Sequence, residues 1–566
     1  MAKPNNVTVW KEYEKGVGFN SSLDLYETVR NNENFFIGKQ WEGVEANGLP
    51  TPVFNFLKRV VLFTVAGITS NSLKMNAVPM MGGTADPEIT RLFRVVNSEF
   101  DKLFEVNKIT PLISEFLRNT AVDGDCCLYT YWDPDIDTGN PSKGAIVTEI
   151  IENTRVFFGN VNSRRVQSQP HIIIMSREMT DDVRDRAKAN GFSEWETISP
   201  DADDRNIDSE KQTDDKTTVL LKLWRNKETK TIWAYECTRT SGVRKVWDTG
   251  LTLYPITWLC WDYIHDNYHG QAMMTGLIPN QIFINKLFAM SMISLMTTAY
   301  PKIIYDKTRV TKWDNRVGAC IGINGGDVQQ VAKILDPASI SPQIAQFIEL
   351  AVEMTQSNLG ATSVALGDTR PDNTSAIIAL QKAAATPNEI TRQNLYQCVE
   401  DLGRIYIDFM AEYYGVRYIE TDTPPEALPA VQEFGLPEKT GGEFDFSLLK
   451  GMYYSIKLDV GAAALWSETA SMQTLDNMFM NGAIDPVDYL ERVPEGWISR
   501  RQELIAKLKA KQLPAMSGAV PSGASAGMNP GEVIASGSPP SVNDIPIPTT
   551  PGNSSLQRAI TNAAGI

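Results

Sequence analysis

Histidine is scarce in this chain: there are three among 566 residues, His171, His265 and His269, which leaves little material for a histidine-based acid–base or metal site. Positive charge is in deficit too. Lysine and arginine number 53 against 68 aspartates and glutamates, a formal net charge of −15, the reverse of the basic footprint of a conventional nucleic-acid binder. A chain so charged does not grip DNA. The six cysteines, Cys126, Cys127, Cys237, Cys260, Cys320 and Cys398, form no C-x-x-C pair, which excludes a zinc knuckle and a disulfide framework and suits a reducing compartment. Cys126 and Cys127 are adjacent in an apolar run and read as core packing. No G-x-x-x-x-G-K-[ST] or H-E-x-x-H occurs, so a P-loop motor and a zinc-protease helix are excluded. Long apolar runs are missing as well. The best, LFAMSMISLMTTA at 287–299, falls short of the roughly 20 residues of a membrane span. The opening MAKPNNVTVWKEYEKG has no continuous apolar core, so no secretory leader and no membrane partner are expected.

What is present is an ordinary globular composition, 42% hydrophobic and 21% charged, on a chain long enough for several domains. The first quarter reads as helical. Ser21 and Ser22 are expected to cap a segment carrying Leu23, Leu25, Tyr26 and Val29. Further helices are expected at 53–72, after Pro50 and Pro52, and at 87–104, where Ile89, Leu92, Phe93, Val96, Phe100 and Leu103 follow helical spacing. The latter should continue beyond a break at Thr110–Pro111. From Asp125 the period changes: CCLYTYW, GAIVTEII, RVFFG and HIIIMS are short β-branched and aromatic runs between turn clusters, hence strands. A helix is expected at 181–189, then a polar acidic surface loop at 193–216, a hairpin from TVLLKLWR and TIWAYEC, and a strand within LTLYPITWLCW.

From Gly270 the chain turns helical again. The stretch 271–298 spans roughly 42 Å as a helix and from Phe283 onward is apolar almost all round, the pattern of a helix buried on every side; Pro279 should kink or delay its first turns. A compact strand-and-turn insertion occupies 301–341. The next helix, 342–359, is amphipathic, with Ile344, Phe347, Ile348, Ala351, Val352, Thr355 and Leu359 on one stripe. Gln346, Glu349, Glu353 and Gln356 fall on the other face, either a solvated surface or the lining of a polar channel. A flexible segment, ATSVALGDTRPD, precedes a long helix at 375–414 with a kink expected near Pro387 and an end at Gly415. A helical hairpin is expected at 467–481 and 485–511. Residues 512–566, rich in Pro, Gly, Ser and Ala, offer no core and read as disordered.

Two local patterns could carry metal chemistry. His265 and His269 stand four apart, but the segment leaves a strand and meets Gly270, which favours a structural junction. Asp133, Asp135 and Asp137 imitate the start of a calcium loop, yet position 6 is Thr138 and position 12 is Gly144, so a hairpin turn explains them better.

Four features together resemble the portal proteins of tailed double-stranded DNA bacteriophages, siphovirus-type portals in particular. They are NNENFFIGKQWEG with PVFNFLKRVV, YHGQAMMTGLIPNQIFINKL entering a long helix, the order of elements through Gly415, and GAAALWSETASMQTLDNMFMNGAIDPVDYLERVP. The resemblance implies an α+β fold. Its parts would be a mixed wing (1–265, with a return segment at 416–460), a two-helix stem (266–298 and 342–359) and a small α/β clip (299–341). A tunnel loop (360–374), a long kinked wing-spanning helix (375–415), a helical crown (461–511) and a disordered tail (512–566) would complete it. It implies no enzymatic activity and no cofactor, but a ring of twelve copies at one capsid vertex of the virion, assembled in the host cytoplasm. Double-stranded DNA would pass through this ring without sequence specificity during packaging and ejection.

The implied partners are the terminase large subunit, the major capsid and scaffolding proteins and a head-completion adaptor. Gln346, Glu349, Glu353, Gln356, Thr369 and Arg370 would line the tunnel; Lys307, Arg309, Lys312 and Arg316 would meet terminase or adaptor. Acid at the wall agrees with a path for sliding DNA, because each neutralised phosphate adds affinity that opposes movement. The alternatives are another phage head or connector protein, or a metal-dependent hydrolase built on the three aspartates or the histidine pair. The hydrolase reading requires turnover that a chelator abolishes.

Overall fold

A computed structural model describes residues 4–45, 48, 50–69, 73–80, 87–137, 143–201, 215–299, 303–310, 343–358, 388–422, 439–460, 475–482 and 484–493, together with scattered positions at 312–334, 472 and 504–508. The chain divides into two compact units, Met1–Asp476 and Asn477–Ile566.

The first unit opens on α1 (Asn6–Ser22), started by a reciprocal cap: Asn5 Oδ1 accepts from Thr8 N while Thr8 Oγ1 accepts from Asn5 N. Ser21 and Ser22 therefore end a helix rather than begin one; α2 (Leu25–Ile37) starts after Asp24, which holds a left-handed conformation. Then follow α3 (Phe56–Thr69), β1 (Leu73–Pro79), α4 (Pro87–Val106) and α5 (Ile109–Asp123). The expected break at Thr110–Pro111 lies earlier, at Asn107–Lys108, where Lys108 has φ +50°. Pro111 sits in the first turn of α5, where a missing N–H costs no hydrogen bond.

The strands follow the expected runs. β2 (Asp125–Asp133) lies between β3 (Ala145–Glu152) and β9 (Ile256–Cys260) in one antiparallel sheet. A second sheet has the order β4 (Val156–Phe158), β5 (His171–Met179), β6 (Lys216–Arg225), β7 (Ile232–Cys237), β8 (Gly242–Asp248), antiparallel throughout. α6 (Thr180–Ala189) leaves β5. Short pairs follow: β10 (Asp262–Tyr263) with β11 (Gly270–Gln271), then α7 (Met273–Ala299), β12 (Ile303–Tyr305) with β13 (Ala332–Ile334), and α8 (Gln343–Asn358). α9 (Glu389–Phe409) runs into a π-turn, Met410–Tyr414, which Gly415 ends with φ +58°. β14 (Val416–Asp422) pairs with β15 (Lys439–Asp445), and β16 (Tyr454–Val460) returns to pair with β1. In the second unit, α10 (Pro486–Arg492) follows a turn at Gly482, and Phe479 packs on Tyr489. The result is a mixed α+β chain of small antiparallel sheets and helices.

The main core gathers α3, α4, α5, the root of α7 and the buried row Leu395, Val399, Leu402, Tyr406 and Phe409 of α9. Gly403 lets α9 approach β1 and β16: a Cβ there would fall 2.1 Å from Met75 Sδ and 3.1 Å from Ile456 Cδ1. Cys126 and Cys127 are core residues, and burial pushes both thiols well above their ordinary pKa.

Candidate functional site: the α7–α8 hairpin and its insertion

α7 starts from a locked joint. The Asp125 carboxylate accepts from Gly270 N at 2.6 Å and lies 3.0 Å from His269 Nδ1, while His269 Nε2 lies 3.0 Å from Asn20 Oδ1. All three side chains are buried. His265, by contrast, is exposed beyond Asp266, which has φ +53°, so the two histidines do not share a helical face. Asp133 Oδ1 accepts from Asp135 N in the β2–β3 connection, the hairpin turn expected. Among the described residues no group of three or more His, Cys, Asp or Glu is placed to hold a metal ion, and no helix is long and apolar enough to cross a membrane.

The N-terminal motif explains itself at this root. Asn32 Nδ2 donates to Val122 O and to Thr275 Oγ1, tying α2 to α5 and α7; Arg118 pairs with Glu33 at 2.6 Å and covers Phe36. Two polar residues inside the apolar α7 are buried, Gln281 and Asn285. Gln281 Nε2 donates to Phe54 O at 2.7 Å and to Asn285 Oδ1 at 2.9 Å, Asn285 Nδ2 donates to Gln40 Oε1 at 2.6 Å, and Gln40 Nε2 donates to Phe35 O at 3.1 Å. Buried amides are costly unless paired, and this chain of them fixes the loop between α2 and α3 against α7. Sequence reading did not single these amides out.

α7 begins at Met273 rather than at 266; residues 270–271 belong to β11. α8 packs on α7 with Asn280 Nδ2 donating to Thr355 Oγ1 at 3.1 Å. Neither helix is wholly covered by its own chain. On α7, Phe283 is 49% exposed, Met290 58%, Met292 40%, Leu295 64% and Met296 56%, which corrects the expectation of a helix buried on every side. On α8, Thr355 is buried and Ile348, Ala351 and Val352 are half-buried, but Phe347, assigned to the packing stripe by periodicity, is 56% exposed. Leu350 and Met354 join it in the open. Gln346, Glu349 and Glu353 are exposed. The side chain of Gln356, and Thr369 and Arg370, lie outside the described residues, as do most of 360–387, 461–474 and 494–566.

The insertion has its own small centre. β12 and β13 pair, Val310 and Val331 are buried, and Tyr305 stacks on Trp313 with centroids 5.1 Å apart. The described part is strand and turn. Lys307 and Lys312 are exposed. Arg309 lies 3.6 Å from Asp306, and Arg316 is held at 2.5 Å by Asp314, whose carboxyl is kept below its ordinary pKa by that hydrogen bond.

An apolar helical hairpin with an acidic row, carrying an inserted β-ladder and rooted by buried amides in a mixed α+β body, defines an assembly component rather than a catalyst. The family model of the Phage P22-like portal protein matches residues 136–419, and the chain belongs to that family. A comparison with curated proteins returned no match. The protein is thus a structural, non-enzymatic component of the virion, the portal at a capsid vertex, a homo-oligomeric ring whose channel passes DNA during packaging and ejection. The match is to the P22-like family, and it does not extend to the siphovirus-type affiliation read from the sequence.

Proposed function

We propose that the ring holds twelve copies and that Gln346, Glu349 and Glu353 form an acidic belt on its channel wall. The carrying observation is the direction of this row. Thr355 marks the side of α8 that faces α7, and at about 100° per residue Gln346, Glu349 and Glu353 lie roughly 120–180° away from it. The opposite side of α7, Ile278, Gln281, Asn285 and Ala289, is buried in the body of the chain. The acids therefore point away from that body, where a ring has its opening. With −15 per chain, twelve copies carry formally about −180, a field that repels phosphates rather than holding them.

In the same reading residues 1–265 and 416–460 form the wing, 266–298 and 342–359 the stem, 299–341 the clip, 360–374 the tunnel loop, 375–415 the long helix, and 461–511 the crown. Gln356, Thr369 and Arg370 extend the wall. Lys307, Arg309, Lys312 and Arg316 face terminase or adaptor; the major capsid and scaffolding proteins are further partners. The segment 461–494 supports a siphovirus-type arrangement. Electron microscopy of the purified protein tests the ring: particles of about 750 kDa with twelvefold symmetry and a central hole are expected. Monomers or closed dimers overturn it.

A further inference from the structure

We infer that the ring closes through one particular seam: the apolar face formed by Phe283 and Met290 of α7 with Phe347, Leu350 and Met354 of α8 seats on Val53 and Phe54 of a second copy. The inference rests on the stem reading above and deepens it by naming the two halves of the contact.

Phe283 and Met290 of α7 and the exposed apolar row of α8 lie on one side of the hairpin; the exposed Met292, Leu295 and Met296, further along α7, fall on the other. Asn280 and Thr355 bond to each other and so mark the facing sides of the two helices. On α7, Phe283 and Met290 fall roughly 60–80° to one side of Asn280, and Phe288 about 80° to the other. On α8, Phe347 and Met354 lie roughly 80–100° from Thr355 and Leu350 somewhat further. Because α8 runs antiparallel its sense of rotation is reversed, which brings its apolar row to the same side as Phe283 and Met290. All five side chains are 47–60% exposed. A row of this size on each of two neighbouring helices, left open by its own chain, marks an interaction surface.

The complementary half is on the other side. Phe54 stacks on Phe288 with ring centroids 4.1 Å apart, yet remains 49% exposed, and Val53 beside it 43%. The amide chain from Gln281 and Asn285 holds this pair in place through Phe54 O. Rotation about a ring axis moves every group at constant height, so the two halves of a seam must sit at one level of a hairpin that runs along the axis. They do. Eight residues after Asn280 is Phe288, which carries Phe54; eight residues before Thr355 is Phe347. Phe54 and Phe347 thus stand at one level on opposite sides of the hairpin. That is the arrangement a head-to-tail contact between copies requires, and one that a twofold contact, patch on like patch, cannot use. Gln346 and Glu353 face neither half, while Glu349 leans toward the side that carries Phe54.

A charge-swap and a cross-link test the seam. In the full chain, Phe347→Glu should leave a folded protein with an unchanged circular-dichroism spectrum but abolish rings in size-exclusion chromatography, and adding Phe54→Lys should restore them. In a Cys320→Ser background, which removes the exposed native thiol, the pair Phe54→Cys and Phe347→Cys should give under oxidation a ladder of covalent multimers. Either single cysteine should give none. Rings that persist in Phe347→Glu, or intact double-cysteine rings without a ladder, overturn the seam while leaving the portal reading standing. If Phe347→Glu unfolds, the cross-link decides. Absence of rings from the unmodified chain strikes the portal ring itself, a separate failure.

Discussion

Reversing the acidic belt is the sharpest perturbation of the proposed channel wall. Glu349→Lys with Glu353→Lys changes each chain by four charge units, about 48 around a ring of twelve. Both side chains are exposed, so the stability of the chain should move by no more than about 0.5 kcal/mol. The row from Gln346 to Glu353 rises about 10 Å along α8, the height of roughly three base pairs of DNA, so at any moment about six phosphates stand within the belt. Neutralising those six would give a salt slope of about −5 and an affinity that falls roughly 10³-fold between 50 and 200 mM salt. Fluorescence anisotropy with a short duplex, read at both salt concentrations, measures the gain in binding, and packaging by the assembled head measures its consequence as stalled translocation. Glu349→Gln with Glu353→Gln removes the charge without reversing it and should fall between the two. Unimpaired packaging by the lysine variant, with no salt-dependent gain in DNA affinity, would place the row on an outer solvated face and refute the wall.

Gly403→Ala should destabilise the chain by about 1–2 kcal/mol in urea unfolding, because overpacking against Met75 and Ile456 outweighs the roughly 1 kcal/mol of helix propensity gained. Asn285→Ala leaves Gln40 Oε1 and Gln281 Nε2 short of a partner and should cost about 1–3 kcal/mol, with proteolysis appearing first between α2 and α3. Burial raises the carboxyl of Asp123 from 3.8 to about 8. A raised carboxyl contributes stability at low pH that is lost as pH climbs from about 4 to about 8, so urea midpoints should fall across that window and Asp123→Asn should flatten the decline.

Where the sequence spoke clearly, one face of an element decided its form. The runs at 126–132, 144–151 and 171–176 alternate or stay β-branched between turn clusters, and they are β2, β3 and β5. Other features depended on partners far along the chain. The chain break falls at Lys108 and not at Pro111, since a proline in the first turn of a helix opposes nothing, and a left-handed lysine has no sequence signature. α1 was not set apart within the helical first quarter, although Asn5 is a favoured cap residue; Val9, Trp10 and Tyr13 are buried only because Phe157, Ile173 and Leu220 of the second sheet lie beneath them. Gln281 and Asn285 stand four apart on one helix, but Gln40 is 245 residues from Asn285, and nothing in the local pattern announces that it joins them. Glu349 and Glu353 were legible as an exposed row; which way that row points became readable only with the Asn280–Thr355 register.

Phe347 shows why periodicity stopped short at α8. A helix that serves only its own chain needs a single apolar stripe, and the heptad-like spacing of 347, 348, 351, 352 and 355 suggests just one. The structure separates it into two: Ile348, Ala351, Val352 and Thr355 turned to α7, and Phe347, Leu350 and Met354 left open. The acidic row is a third face, roughly 100° from the open apolar one. On the proposed seam these offsets are coupled. The rotation that covers Phe347, Leu350 and Met354 of each copy with the next is the rotation that brings the acidic rows together around the axis, so closing the ring and building a wall that DNA slides past are one geometric event. Turning α8 by a single residue would carry the acids toward the seam, where an unpaired buried carboxylate is heavily penalised. The same turn would put Phe347 toward the channel. The spacing of three kinds of side chain on one sixteen-residue helix is therefore under constraint from the assembly as well as from the fold.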